Sequence, residues 1–199
     1  MSDPIVYIYA DESCLGNQFQ DRNRPGAAAG LVERFDEGRA WHRRDFAYYE
    51  SDTTNNRMAL YSAIVGLRHL QRPCSVVFTS DSQYLVRGMR EWLPGWVRRG
   101  WKRKGGPIEN LDLWRAALRE AQKHQVEWRW TKGHADNVKN EYANVLAIGT
   151  ATTGKAVTGL AESGFGEWLE GQRQRGRYED FLDLPPKGPF RPDPLPADN

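Results

Sequence analysis

The sequence is poor in most features that would place it in a special class. It has two cysteines in 199 residues, Cys14 and Cys74. They stand far apart and form no zinc-ligand spacing, and two reduced thiols in a cytoplasmic protein are a simpler reading than a bridge. No apolar run approaches the roughly 18–20 residues of a membrane span, and no basic-then-apolar leader opens the chain, so neither membrane insertion nor export is expected. An excess of one charge is lacking too. The 28 Lys and Arg against 26 Asp and Glu leave +2, which announces no partner by itself. There is no internal repeat.

What is present suits a folded domain. Hydrophobic residues make up 39% and charged ones 27%, too apolar for a disordered chain. The length suits one domain, or two small ones. Eight tryptophans must either fill a core or face a ligand with flat surfaces. The composition shifts along the chain: residues 5–150 are dense and periodic, whereas 178–199 hold 6 prolines in 22 residues, with acids outnumbering bases 5 to 2. Each proline lacks a donor and fixes φ, so this segment is read as an extended tail or linker. Its Phe181, Leu182, Leu184 and Phe190 are too apolar for a pure spacer, which leaves docking on this domain or on a partner protein. Between lies an ambiguous extension, 151–177, with a short helix expected at 160–172.

Periodicity sets the elements. Residues 5–10, 26–33 and 39–49 alternate as strands, with Asp36-Glu37-Gly38 as the turn between the last two. Thr53 or Thr54 caps a helix running to about 70. A strand at 75–79, helices at 82–90 and 109–124, a strand at 126–130 and a helix at 140–148 follow. Antiparallel strands followed by alternating strand and helix make an α/β fold: a mixed sheet with helices packed on it.

Asp11 follows the first strand and Asp81 the fourth. If those strands are parallel neighbours, both carboxylates emerge at one edge and suit a hard divalent cation. Taken alone, Asp11 beginning a turn and Asp81 capping a helix is the commoner arrangement.

Longer strings weigh against that simpler reading. Tyr9-Ala10-Asp11-Glu12-Ser13-Cys14-Leu15-Gly16-Asn17, Thr53-Thr54-Asn55-Asn56-Arg57-Met58, Thr79-Ser80-Asp81-Ser82-Gln83-Tyr84 and Lys132-Gly133-His134-Ala135 resemble the type 1 ribonuclease H family in order and spacing, over residues 5–150. Gly100-Trp101-Lys102 and Leu111-Asp112-Leu113-Trp114 are similar to it too. The resemblance implies an RNase H-like domain over 1–150: five strands, three antiparallel and then two parallel, flanked by helices, with a C-terminal extension. It also implies cleavage of the RNA strand of RNA/DNA hybrids with Mg²⁺ or Mn²⁺; separately, a monomer is expected.

The family's site holds four carboxylates. Asp11 and Asp81 match two of them, but the helix Glu falls on Ala59 and the last Asp on Asn144. Alanine offers no ligand oxygen and asparagine only a neutral one, so a paired-metal site is not expected to persist and the chain reads as catalytically disabled. Glu→Ala and Asp→Asn are exchanges chosen to trap an uncleaved complex, which favours engineering. The alternative is a naturally non-catalytic hybrid-binding module. Glu12 is an additional acid, but strand neighbours point to opposite faces, which argues against its replacing a lost ligand unless the alternation fails near the strand end.

The resemblance assigns His134 to proton transfer or product release, which its ordinary pKa suits; taken alone, a histidine following a glycine after a strand reads as an exposed loop residue. Asn17, Asn55 and Gln83 match polar positions that meet the hybrid, where 2′-hydroxyls distinguish RNA; Asn55 as a helix cap and Asn17 as a turn residue are compatible alternatives. Arg98, Arg99, Lys102, Arg103 and Lys104, with Trp92, Trp96 and Trp101 interleaved, resemble the family's basic protrusion, which grips the DNA strand through phosphates. Trp101 is counted with the substrate-binding residues. Trp128 and Trp130 alternate on a strand and are expected to pack or support the sheet.

Overall fold

Strand β1 (Val6–Cys14) runs on past Ala10, beyond the end of the alternating segment. This computed structural model describes residues 5–16, 24–36, 40–133 and 137–197. The sheet has the order β5-β4-β1-β2-β3-β6. Strands β2 (Gly26–Phe35) and β3 (Trp41–Glu50) continue antiparallel from β1, while β4 (Ser75–Ser80) and β5 (Gln125–Trp130) add parallel to it. The five expected strands are therefore present, in the expected senses. A two-residue strand, β6 (Ala161–Glu162), adds a sixth by pairing antiparallel with β3. The turn read at Asp36-Glu37-Gly38 falls mainly on residues outside those described.

The alternation of β1 sorts its side chains into two cores. Val6, Ile8 and Ala10 pack with Ala59, Ala63 and Leu67 of helix α1 (Asn55–Arg68). Tyr7 and Tyr9 pack on the opposite face with Val138 and Tyr142 of helix α5 (Val138–Thr153). Thr54 caps α1 by accepting the Arg57 N–H at 3.3 Å, which fixes where the helix begins. Asn55 is thus the first helical residue and not the cap.

After β4 the chain enters α2 (Gln83–Arg87), passes through a π-helical turn (Gly88–Trp92) and continues as α3 (Leu93–Arg98). The helix expected at 82–90 is therefore longer and irregular. Pro94 explains the irregularity: it has no N–H to give the preceding turn, and the backbone widens there, with Leu93 N–H bonding to Gly88 O. Gly88 itself lies against Trp114, where a Cβ would come within 1.9 Å of the indole ring. Trp114 belongs to α4 (Leu111–Ala121), and Trp92 and Trp96 pack around it. These tryptophans thus support the base of the basic segment.

The segment after α6 (Phe165–Arg173) is extended but docked on the domain. Phe181 and Phe190 join the core that holds Tyr7 and Tyr142, whereas Leu182 and Leu184 face outward. Further on, Asp193 N–H donates to Val126 O at 2.8 Å, and Asp193 Oδ2 accepts Trp128 N–H at 2.8 Å. Arg191 N–H reaches Glu127 Oε2 at 2.8 Å. The tail so covers the outer edge of β5, a row of backbone groups that would otherwise invite pairing with another chain. Both cysteines are free thiols.

Candidate active site

The pairing pattern of β1 creates the site. Its parallel register with β4 stops at Ala10↔Ser80, while its antiparallel register with β2 runs on through Asp11↔Ala29 and Glu12↔Ala28. Beyond Ala10 one edge of β1 is therefore open, and Asp81 stands where β4 turns away into α2. Carboxylate oxygens of Asp11, Glu12 and Asp81 lie within 4.8 Å of one another.

Glu12 belongs to this group, contrary to the sequence expectation. The alternation behind that expectation holds; its consequence is the reverse. Even-numbered residues of β1 face α1, the helix on which the family Glu would stand at Ala59. Glu12 so approaches from the side of the missing carboxylate, and its extra methylene helps it reach the opening. Ala59 fills the α1 core as a fully buried residue. Asp11 faces α5, where Asn140 Nδ2 donates to its Oδ2 at 3.4 Å. The sequence motifs single out Asn144, one turn further along the same helix, but not Asn140. The signal that could have found Asn140 is its i,i+4 spacing from Asn144, which puts both on one helix face.

The electrostatics are those of crowded acids. Burial, reinforced by the Asp81 carboxylate, pushes Asp11 up to about 8, although the Glu12 backbone N–H donates to its Oδ1 at 2.7 Å. Glu12 is pushed up by burial and then by Asp11 and Asp81, with a Ser82 hydrogen bond opposing. Among the described residues, Glu12 Oε2 and Asn140 Oδ1 are buried without a hydrogen-bond partner. Unpaired oxygens and clustered carboxylates are costly unless a cation joins them. An all-oxygen donor set of this kind fits a hard divalent ion.

Around the site, Gly133 abuts Asp81: an ideal Cβ there would lie 2.6 Å from Asp81 Oδ2. The next residue, His134, lies outside the described residues, as does Asn17. Asn55 and Gln83 are exposed in the first turns of α1 and α2. Arg98, Arg99, Lys102, Arg103 and Lys104 are all exposed, with an Arg103↔Gly106 bridge closing the loop. Trp101 packs partly against the core, with Arg115 over its ring at 5.2 Å. Trp128 is buried, as expected, but Trp130 is 47% exposed and so is not a core residue. Its indole N–H donates to Asp81 O at 2.9 Å, bracing the end of β4.

Comparisons with known proteins agree with this architecture. The RNase H family model matches residues 3–152. Ribonuclease H of Coxiella burnetii (strain Dugway 5J108-111) is 43% identical over 145 residues, covering 72% of this chain and 87% of the relative. Ribonuclease H of Xanthomonas campestris pv. campestris is 43% identical over 159 residues, covering 79% and 98%. Among solved structures, LC9-RNase H1, described as a type 1 RNase H with the type 2 active-site motif, superposes with a TM-score of 0.88 at 45% identity, covering 98% of this chain and 95% of its own. That match takes in the C-terminal segment as well. A matched family model, curated relatives at this identity and the sheet order described above lead to one assignment: the chain belongs to the ribonuclease H family, in its type 1 branch.

Proposed function

We propose that the chain, as it stands, hydrolyses the RNA strand of RNA/DNA hybrids, with Glu12 supplying the carboxylate that Ala59 does not. The convergence of Asp11, Glu12 and Asp81 within 4.8 Å carries this reading. In place of two anionic ligands, the expectation drawn from Asp11 and Asp81 alone, the site has three. Asn144 stands at the fourth family position with a neutral oxygen. These four residues would hold the pair of Mg²⁺ or Mn²⁺ ions that such hydrolysis uses. Bound there, divalent ions supply a water activated for attack and charge stabilisation of the leaving oxygen.

The rest is done by the chain. Asn140 orients Asp11 through its amide. The Trp130 indole and the close approach of Gly133 hold Asp81 from two sides. His134, following Gly133, is suited to carry a proton at neutral pH. Asn17, Asn55 and Gln83 are assigned to the hybrid near the cut. Arg98, Arg99, Lys102, Arg103 and Lys104, with Trp101 at their root, are assigned to the phosphates of the DNA strand.

The test is direct. Incubating the unaltered chain with an end-labelled hybrid and Mg²⁺ or Mn²⁺ should cut the RNA strand and leave the DNA strand and free single-stranded RNA intact. Asp81→Asn should abolish the cutting. Tight hybrid binding with no cleavage under either ion would instead establish the binding-module reading that Ala59 and Asn144 favour.

A further inference from the structure

Four charges meet where the C-terminal segment crosses the sheet, two of them buried and two, Arg43 and Asp183, partly exposed. Glu33 on β2 is fully buried, and Lys139, in the first turn of α5, is 4% exposed. The Lys139 ammonium donates to Glu33 Oε1 and lies 3.3 Å from Asp183 Oδ1. Arg43 Nε donates to Glu33 Oε2 at 2.9 Å, and its Nη2 reaches both Asp183 oxygens at 2.7 Å. Two cations and two anions close the group. Asp183 is the only one of the four from the tail. Its carbonyl accepts the Trp41 indole N–H at 3.0 Å, and the Trp41 ring lies 4.1 Å from the Lys139 ammonium.

Lys139 directly precedes Asn140, the residue that touches Asp11. The Asn140–Asp11 bond, at 3.4 Å, is near the outer limit for such an interaction, so a few tenths of an ångström decide whether it exists. Tyr142 holds the second turn of α5 through Asp45 at 2.5 Å. The first turn depends on the Asn137 cap and on Lys139. Without Asp183, one buried carboxylate would face two cations, and the ammonium on the helix end would be drawn toward water, taking the first turn with it.

We propose that Asp183 is a positioning residue for the carboxylate site: by completing the charge cluster at Lys139, the C-terminal segment holds the first turn of α5 where Asn140 meets Asp11. Only the metal arm of the test rests on the function proposed above.

The experiment compares the full chain with Asp183→Asn and Asp183→Glu, free of metal, by NMR of the Asn140 side-chain amide, assigned from its loss in Asn140→Asp. The Asn110 amide, which bonds Tyr84 far from the cluster, is the internal control. Asp183→Asn should shift the Asn140 resonances and leave those of Asn110 in place, and Asp183→Glu should restore the parental position. In a Mn²⁺ titration followed by electron paramagnetic resonance, Asp183→Asn should weaken binding at least fivefold and Asp183→Glu less than twofold. Unmoved Asn140 resonances with a lowered Tm would overturn the proposal and make Asp183 a stabilising clamp only. If Asp183→Asn did not fold, Trp41→Phe, which removes the hydrogen bond to the Asp183 carbonyl, should give the same Asn140 shift, and its absence would overturn the proposal equally. A parent chain that bound no Mn²⁺ would defeat the metal reading, while a moving Asn140 resonance would still support the positioning role.

Discussion

Gly133 has no room for a side chain because Asp81 occupies it: a Cβ at Gly133 would stand 2.6 Å from Asp81 Oδ2. The atom displaced would be a site oxygen, on a residue whose backbone carbonyl is held by the Trp130 indole. Gly133→Ala should therefore push the Asp81 carboxylate away from Asp11 and Glu12. The expected outcome is at least a tenfold loss of hybrid cleavage, about 1.4 kcal/mol at the transition state, with the Tm changed by no more than a few degrees. Steady-state kinetics beside a thermal melt check this.

Metal-free stability should depend on pH through the crowded acids. Folded Asp11 keeps its proton up to about 8, against an ordinary value of 3.8. Between those values the folded state binds more protons than the unfolded chain, so unfolding becomes easier as pH rises. Glu12 is shifted in the same direction and adds to the trend. The Tm of the metal-free protein should fall from pH 5 to pH 8, and Asp11→Asn should reduce that fall. At pH 8 the variant should be the more stable by about 1 kcal/mol or more, roughly 2–4 °C for a domain of this size. Melts at both pH values, in chelator, read the difference.

The exposed basic loop should act through phosphate charge. Neutralising Arg98, Arg99, Lys102, Arg103 and Lys104 together should weaken hybrid binding with little dependence on sequence. For every phosphate that a neutralised side chain no longer pairs, the plot of log affinity against log salt should flatten by about one unit. Binding isotherms at several salt concentrations measure that slope, and an unchanged slope would make the loop only a solvated face.

The sheet was legible because its signals are local. Alternation in β1 and β3, the Thr54 cap and the absence of proline within α1 each act over a few residues. The π-turn before Pro94 depends on how a helix accommodates a missing donor while lying on Trp114, and no short periodicity encodes that. The docked tail was only half legible. Its prolines announce an extended path, but the partners of Asp183 and Asp193 lie on β3, α5 and β5, far away in sequence. At the site, Asp11 and Asp81 could be paired once the longer motifs around them were weighed with their places at strand ends. Glu12 could not, because alternation says which face a side chain takes and not which helix covers that face. Once α1 is seen over the even-numbered residues of β1, the acid next to Asp11 stands on the side where Ala59 leaves a carboxylate missing.

The central claim is that Glu12 takes the place of the carboxylate absent at Ala59, and it is tested most directly by comparing hybrid cleavage by the unaltered chain and by Glu12→Gln under saturating Mn²⁺. Glutamine keeps the length and shape of the side chain and removes its charge. The account predicts a cutting parent and a loss of at least a hundredfold in Glu12→Gln, about 2.7 kcal/mol. Equal rates in the two proteins, or silence in both with activity gained on Ala59→Glu, would contradict it.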